Sequence, residues 1–157
     1  GFAVSSGSNS RTKAARMTEP ARISREEFDA LVEAELPIAA RLGFRLDAFA
    51  HGLVVARAPY AVDFLRPGGT IAGPVLMALA DYAMYAVTLS MVGRVALAVT
   101  TNLNINFLRR PAPRDVLAEG RILKLGKRLA VSEVTLRSEG EDGPVAHVTG
   151  TYSLPPR

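Results

Sequence analysis

The sequence contains no cysteine, no tryptophan and only two histidines, His51 and His147. The lack of cysteine excludes disulfide bonds, a thiolate nucleophile and thiolate metal ligands. Two isolated histidines are too few for a multi-histidine metal site, so we predict no metal. The G-x-S-x-G nucleophile motif and the Walker A phosphate loop are also missing. These absences exclude several of the commonest enzyme classes.

Net positive charge is small once the first residues are set aside. The formal net charge of the 157 residues is +4. Arg11, Lys13 and Arg16 supply three of these charges within residues 1–16, which carry no acidic residue. The rest of the chain is therefore almost neutral, which is untypical of a protein that binds nucleic acid. We predict no nucleic-acid partner.

The beginning of the sequence lacks an apolar run of signal-peptide length. Residues 1–22 are mostly polar and have no hydrophobic periodicity, so we expect a disordered leader, either an addition or an upstream extension. Residues 23–157 have the length of a single domain. Because we find no export signal, we expect a cytoplasmic location.

The longest apolar feature of the sequence runs from Gly73 to Gly93. Gly73 suits the N-cap of a helix, Pro74 its first turn, and Gly93 the left-handed residue that ends it. Nearly all residues between them are apolar or small on every side, so the helix should be buried all round. Its length would also span a membrane. However, the charged Asp81 at its middle is costly in lipid, and we predict no membrane partner.

A shorter helix is predicted before this stretch. Ser24 and Glu27 have the spacing of a capping box, which indicates a helix that begins there and continues to about Leu36. Pro37 should break or kink this helix, because proline cannot continue the hydrogen-bond ladder. Residues 38–42 should add one short turn.

The rest of the sequence has the alternation of β-strands. The hydrophobic period changes to two from Gly43, and a hairpin is predicted with its turn at His51 and Gly52. Residues 59–71 should be irregular. Four strands are predicted after the long helix, over residues 96–108, 116–125, 129–137 and 145–154. The fold class is therefore α+β, with a curved antiparallel sheet wrapped around one long buried helix.

Two residues of the long helix are candidates for catalysis. The backbone N–H groups at its start, including that of Gly73, have no intrahelical acceptor and could stabilise an oxyanion. Asp81 could act as a general base or as a nucleophile. The two residues lie about 12 Å apart along the helix axis. They can meet at one site only if two copies of the helix lie antiparallel in a dimer, which would then have two identical shared sites.

From about residue 40 to residue 154 the sequence resembles the hot-dog fold acyl-CoA thioesterases, in particular their PaaI-like branch. The triplet 79–81, Leu-Ala-Asp, matches the family's helix motif, and Gly73 and Gly69 fall at its two glycines. The run 106–111 resembles the end of the family's third strand. The resemblance implies hydrolysis of an acyl- or aroyl-CoA by Gly73 and by Asp81 of the partner chain. It also implies a homodimer assembled as a homotetramer, and coenzyme A as part of the substrate rather than as a cofactor.

The sequence departs from the family pattern at three positions. Arg66 stands where asparagine or glutamine is common, Ala72 where histidine is common, and Pro74 where a second glycine is common. Tyr85, one turn after Asp81, could hydrogen-bond the carboxylate or pack in the core with its hydroxyl on the backbone. Clustered basic residues suit the phosphates of coenzyme A. The predicted substrate-binding residues are Arg66, Gly69, Ala72, Tyr85, Asn102, Arg109, Arg110, Lys127 and Arg128.

Two other functions remain open at this stage. Because the family's histidine at position 72 and asparagine at position 66 are missing, the protein could instead be a non-catalytic acyl-CoA binding or sensor protein with the same fold. Hydratase chemistry on acyl-CoA is a weaker reading, because hot-dog hydratases pair an aspartate with a histidine near the helix start. No histidine occurs between His51 and His147. The acyl group and the choice between nucleophile and general base stay undetermined.

Overall fold

The computed structural model describes residues 19–156, so residues 1–18 of the predicted leader lie outside the described part. Residues 19–22 lie against the domain, with the Arg22 N–H 2.8 Å from the Ser90 carbonyl. The helices are α1 (Arg25–Glu35), α2 (Pro37–Arg41) and α3 (Gly73–Val92), with a 3₁₀ turn at Val62–Phe64. The strands are β1 (Arg45–Ala50), β2 (Leu53–Ala58), β3 (Leu65–Arg66), β4 (Thr70–Ile71), β5 (Val99–Phe107), β6 (Val116–Leu125), β7 (Leu129–Ser138) and β8 (Pro144–Ser153).

Six of the strands form one antiparallel sheet in the order β1-β2-β6-β7-β8-β5. The long helix α3 packs against this sheet, with contacts to β2, β6, β7 and β8. The α+β class, the antiparallel sheet and the central helix are therefore as the sequence predicts. In this order β5 forms one edge of the sheet and β1 the other.

Helix α3 is long and apolar enough to cross a membrane by length and composition. In this fold two thirds of its most apolar window is buried (67%), as in a core helix. Glycines on the sheet let it approach closely, because a side chain at Gly150 would overlap Met84 and one at Gly120 would press on Val54 and Ala83. The close approach seals the apolar faces of helix and sheet against each other.

The caps of the helices follow the local signals, with one shift. The Ser24 hydroxyl accepts a hydrogen bond of 3.1 Å from the Glu27 N–H, so Ser24 is confirmed as the N-cap. Gly93 ends α3 with a φ of 84°, as a C-terminal glycine should. The predicted N-cap of α3 is wrong by one residue, because Ala72 is the N-cap and Gly73 is already helical. Glycine suits this position because the Pro74 ring would crowd a Cβ on a preceding helical residue.

Two strand predictions also need correction. The period of two that begins at Gly43 does not continue to Ala48, because a bulge between Leu46 and Ala48 changes the register of β1, and Ala48 is exposed. Residues 59–71 are not wholly irregular, since β3 and β4 pair as a small hairpin. Its turn has Pro67 followed by Gly68 at a φ of 96°, the signature of a type II turn. This hairpin leads the chain to the start of α3.

Candidate active site

Asp81 lies halfway along α3, where its half-buried side chain faces the first residues of β5 and the last residues of β8. Its Oδ1 atom accepts a hydrogen bond of 2.6 Å from the Thr100 hydroxyl. The same oxygen accepts a second hydrogen bond of 2.8 Å from the Tyr152 hydroxyl. Among the described residues, no donor contacts Oδ2. One carboxylate oxygen is therefore held by the protein, and the other is available.

A cavity of about 480 Å³ opens beside the Asp81 carboxylate. Apart from Asp81, Thr100 and a few other polar groups, its walls are aliphatic and aromatic. They come from the end of α1, from α2, from α3 and from the segment between α3 and β5. The residues that line it include Leu36, Ala39, Leu42, Phe44, Ala78, Tyr82, Tyr85, Leu97, Val99 and Tyr152. An apolar group of a ligand would fit here with its polar end at Asp81.

Tyr85 does not hydrogen-bond Asp81, which is one of the two arrangements that the sequence leaves open. Tyr85 is buried and lines the cavity, but its hydroxyl donates a 3.2 Å hydrogen bond to the Ala96 carbonyl. Of the two arrangements open to sequence analysis, the structure thus has the backbone-bonded one. The tyrosine that reaches Asp81 is Tyr152, which the sequence analysis did not select.

Burial raises the pKa of the Tyr152 hydroxyl well above its ordinary value, and the negative charge of Asp81 raises it further. Burial likewise raises the pKa of Tyr82 and of Tyr85. All three hydroxyls therefore stay protonated at neutral pH. Tyr152 consequently remains a hydrogen-bond donor to the carboxylate throughout the physiological range.

Gly73 lies in a second cavity, of about 630 Å³, at the start of α3. The aromatic ring of Phe107 covers it so closely that a Cβ added to Gly73 would lie 3.2 Å from that ring. Three arginines line this cavity, namely Arg66, Arg109 and Arg110. A helix start bordered by arginines favours negative charge, because the exposed N–H groups and the guanidinium groups act together.

The remaining predicted residues are spread over the fold. Gly69 follows the hairpin turn with a φ of 75°, and Ala72 precedes α3 as its N-cap. Asn102 is exposed on the edge strand β5 and lines neither cavity. Lys127 and Arg128 are exposed in the turn between β6 and β7. That turn lies at the Asp81 end of the sheet, because Leu129 pairs with Ser153, which pairs with Val99.

Within one chain, Gly73 and Asp81 line separate cavities. The first residue of β5 lies at the Asp81 end of the sheet and the last, Phe107, at the Gly73 end. The two basic groups are divided in the same way, with Arg109 and Arg110 at one end and the 127–128 turn at the other. The described part of the chain thus has two separate cavities, one largely apolar at Asp81 and one lined by arginines at Gly73. Among residues 19–156 no cluster of histidine and carboxylate side chains could hold a metal ion.

The sequence and the fold are similar to those of known thioesterases. The model of the thioesterase superfamily matches residues 68–145, which include the helix that borders both cavities. A candidate thioesterase of known structure from Silicibacter sp. TM1040 is 44% identical, with a TM-score of 0.78, over 87% of this chain and 94% of the other. The chain belongs to the thioesterase superfamily. It is therefore a thioester hydrolase with the hot-dog fold, as the sequence predicts.

Two further relatives are more distant. The phenylacetic acid degradation protein PaaI from Thermus thermophilus, solved as a variant, is 29% identical, with a TM-score of 0.67. The match covers 76% of this chain and 99% of that protein. A candidate esterase from Thermoplasma acidophilum is 26% identical over 111 residues, which are 71% of this chain and 83% of the relative. The resemblance to the PaaI-like branch is thus confirmed by solved structures.

Proposed function

We propose that this protein hydrolyses an acyl- or aroyl-CoA thioester to the free acid and coenzyme A. The observation that carries the proposal is the Asp81 carboxylate, which has only one oxygen hydrogen-bonded by the described residues and lines a largely apolar cavity of about 480 Å³. The cavity suits the acyl group. The basic cavity at Gly73 suits an anionic, phosphate-bearing molecule.

Asp81 and Gly73 come together across a homodimer in this proposal. The edge strand β5 exposes Val99 (57%) and Phe107 (55%), and Leu108 just beyond it is equally exposed (56%). Antiparallel pairing of β5 with its own copy would cover these side chains and satisfy the unpaired backbone groups of the edge. Because Thr100 contacts Asp81 and Phe107 contacts Gly73, such pairing brings Gly73 of one chain toward Asp81 of the other.

The chemistry follows from these positions. The N–H group of Gly73, at the start of α3, stabilises the negative charge that develops on the thioester oxygen. With Asp81 as general base, it takes a proton from water while the hydroxide oxygen bonds to the acyl carbon, and the carbon–sulfur bond then breaks. With Asp81 as nucleophile, its oxygen forms an anhydride first, which water then cleaves. In both routes the coenzyme leaves as its thiolate and takes up a proton.

The coenzyme end would be bound by basic side chains from both chains. Arg109 and Arg110 line the Gly73 cavity, and the same antiparallel dimer moves the 127–128 turn of the partner toward it. Arg66 could add a donor near the thioester, where the family commonly has asparagine or glutamine. The homotetramer and the cytoplasmic location are part of this proposal.

The experiment is a panel of acyl- and aroyl-CoA esters with detection of the released thiol. We expect turnover of at least one ester, and a loss of at least about 100-fold in kcat in Asp81→Asn, which keeps the shape of the side chain. Asp142→Asn, at an exposed aspartate, is the matched control and should leave turnover unchanged. Near wild-type turnover in Asp81→Asn would contradict the catalytic role. Tight binding of the esters without hydrolysis would instead support the non-catalytic binding protein.

A further inference from the structure

The hydroxyl of Tyr152 has an unusual pair of acceptors. It lies 2.8 Å from Oδ1 of Asp81 and 3.1 Å from the Asp81 main-chain carbonyl oxygen. It therefore fixes the aspartate side chain relative to its own backbone. The link joins α3 to β8 over a sequence separation of 71 residues.

The Tyr152 side chain is itself held firmly. Only 3% of the residue is exposed, and its ring lies 6.1 Å from that of Tyr85. Tyr152 and Thr100 are directly opposite each other on the paired strands β8 and β5. The sheet thus sets the spacing of the two hydroxyls that bind Oδ1. A donor pair on two rigid strands is well suited to hold a reacting group within the narrow range of geometry that catalysis needs.

From this arrangement we propose that Tyr152 is a positioning residue of the reaction. It and Thr100 occupy Oδ1, so that Oδ2 is the oxygen presented to water or to the acyl carbon. The inference rests on the proposed function of Asp81. Because Tyr152 remains protonated at neutral pH, its hydroxyl remains a hydrogen-bond donor to Oδ1 and keeps the carboxylate oriented.

Tyr152→Phe tests this role, because it keeps the buried ring and removes only the hydroxyl. On the best ester of the panel we expect kcat to fall by about 10- to 100-fold, as for loss of a hydrogen bond to a charged group. The KM should change less than about twofold, since the variant keeps the ring that lines the cavity.

Ser90→Ala is the matched control for the loss of a buried hydroxyl. Ser90 lies on α3, as does Asp81, and is fully buried. Its hydroxyl accepts a hydrogen bond from the Gly52 N–H (2.9 Å) and donates one to the Val87 carbonyl (2.6 Å). This variant should lower the melting temperature without lowering kcat. A Tyr152→Phe variant that behaves in the same way would overturn the positioning role, because its effect would be structural only.

Thr100→Val provides a second measurement on the same carboxylate. If both hydroxyls act by holding Oδ1, the losses in Tyr152→Phe and Thr100→Val should not multiply in the double variant. An unchanged kcat in Tyr152→Phe, with Asp81→Asn inactive, would overturn this inference and leave the proposed function intact. Absence of turnover by the wild-type protein on the whole panel would overturn both.

Discussion

At the scale of single residues, Arg57 on β2 connects four parts of the chain at the Gly73 end of the sheet. Its Nε atom lies 2.8 Å from Asp47 on β1, and its Nη1 lies 2.8 Å from Asp115 at the start of β6. The same Nη1 lies 2.9 Å from Glu139 after β7. Asp115 also accepts a 2.7 Å hydrogen bond from the Tyr60 N–H. The cluster thereby anchors the segment that leads to Gly73.

Asp115 should give the stability of the protein a specific dependence on pH. Burial alone would raise the pKa of Asp115, but the Tyr60 N–H and the Arg57 guanidinium together hold it below its usual value. The folded state thus favours the charged form. Its stabilising contribution is complete above the unfolded pKa of about 3.9 and is lost as the pH falls through the lower folded value.

We expect Asp115→Asn to lower the free energy of unfolding by about 1.5–3 kcal/mol at pH 6, because it removes hydrogen bonds to a charged group. The difference from wild type should shrink as the pH falls below about 3.9. Urea denaturation at several pH values measures both effects. Asp63→Asn, at an exposed aspartate, is the control. A difference that stays constant down to acid pH would contradict the role given to the charge.

The residue that sequence analysis could not find is Tyr152. The helical spacing of four residues favoured Tyr85, because residues four apart are neighbours on a helix surface. The Tyr85 hydroxyl nevertheless reaches Ala96, in the segment after the helix. Which strand lies beside Asp81 depends on sheet order, since β8 is paired with β5. No local pattern around position 152 reports that neighbour.

At the scale of elements, short-range signals predicted most of the fold. The N-cap at Ser24 and the terminal glycine at Gly93 are read from a few neighbouring residues, and both are confirmed. The strand over 116–125 has the predicted bounds. The bulge after Leu46 was not predictable, because bulges depend on how two strands pair. The hairpin of β3 and β4 was missed because each strand has only two residues.

The loop after β5 should determine affinity for the coenzyme rather than the rate of chemistry. Arg109 and Arg110 in this loop line the Gly73 cavity, and the Arg109 guanidinium lies against the backbone of Gly143. We expect reversal of both to glutamate, alone or with Arg128→Glu, to raise the KM for a CoA ester by about tenfold, equivalent to about 1.4 kcal/mol. The change in kcat should be smaller. Added salt should weaken wild-type binding, since the contacts are exposed charges.

Two controls separate this effect from general damage. An N-acetylcysteamine thioester of the same acid lacks the nucleotide, so its KM should be unaffected by the reversals. Arg114→Glu changes an arginine of the same loop that lines neither cavity. Equal losses on both thioesters, or unchanged affinity for coenzyme A, would remove Arg109 and Arg110 from the binding site.

At the scale of the whole molecule, the decisive prediction is that the two catalytic groups of one site come from different chains. Gly73→Val should disturb the helix start, because any side chain there meets the Phe107 ring and precedes Pro74. Asp81→Asn removes the carboxylate. Each variant alone should be nearly inactive. In a mixed dimer both lesions fall in one site and the other site is intact.

Co-expression of the two variants under different affinity tags measures this. Random assortment makes about half of the dimers mixed, each with one good site of two, so roughly a quarter of wild-type activity should return. Dimers purified through both tags should have about half. Doubly tagged dimers of Asp81→Asn alone are the control and should stay inactive. Doubly tagged mixed dimers without activity would contradict the shared-site arrangement.

A lone chain would be vulnerable where the proposed dimer is joined. The nine residues of β5 offer a free row of backbone donors and acceptors, with Val99 and Phe107 exposed beside them. Such an edge is a template for unwanted strand addition and fibre growth. Pairing with a second copy would cover the β5 edge. The concentration of unpaired β5 edges would therefore rise more slowly than the total concentration of the protein. The aggregated fraction should therefore level off, rather than keep rising, once the concentration exceeds the dissociation constant of the dimer.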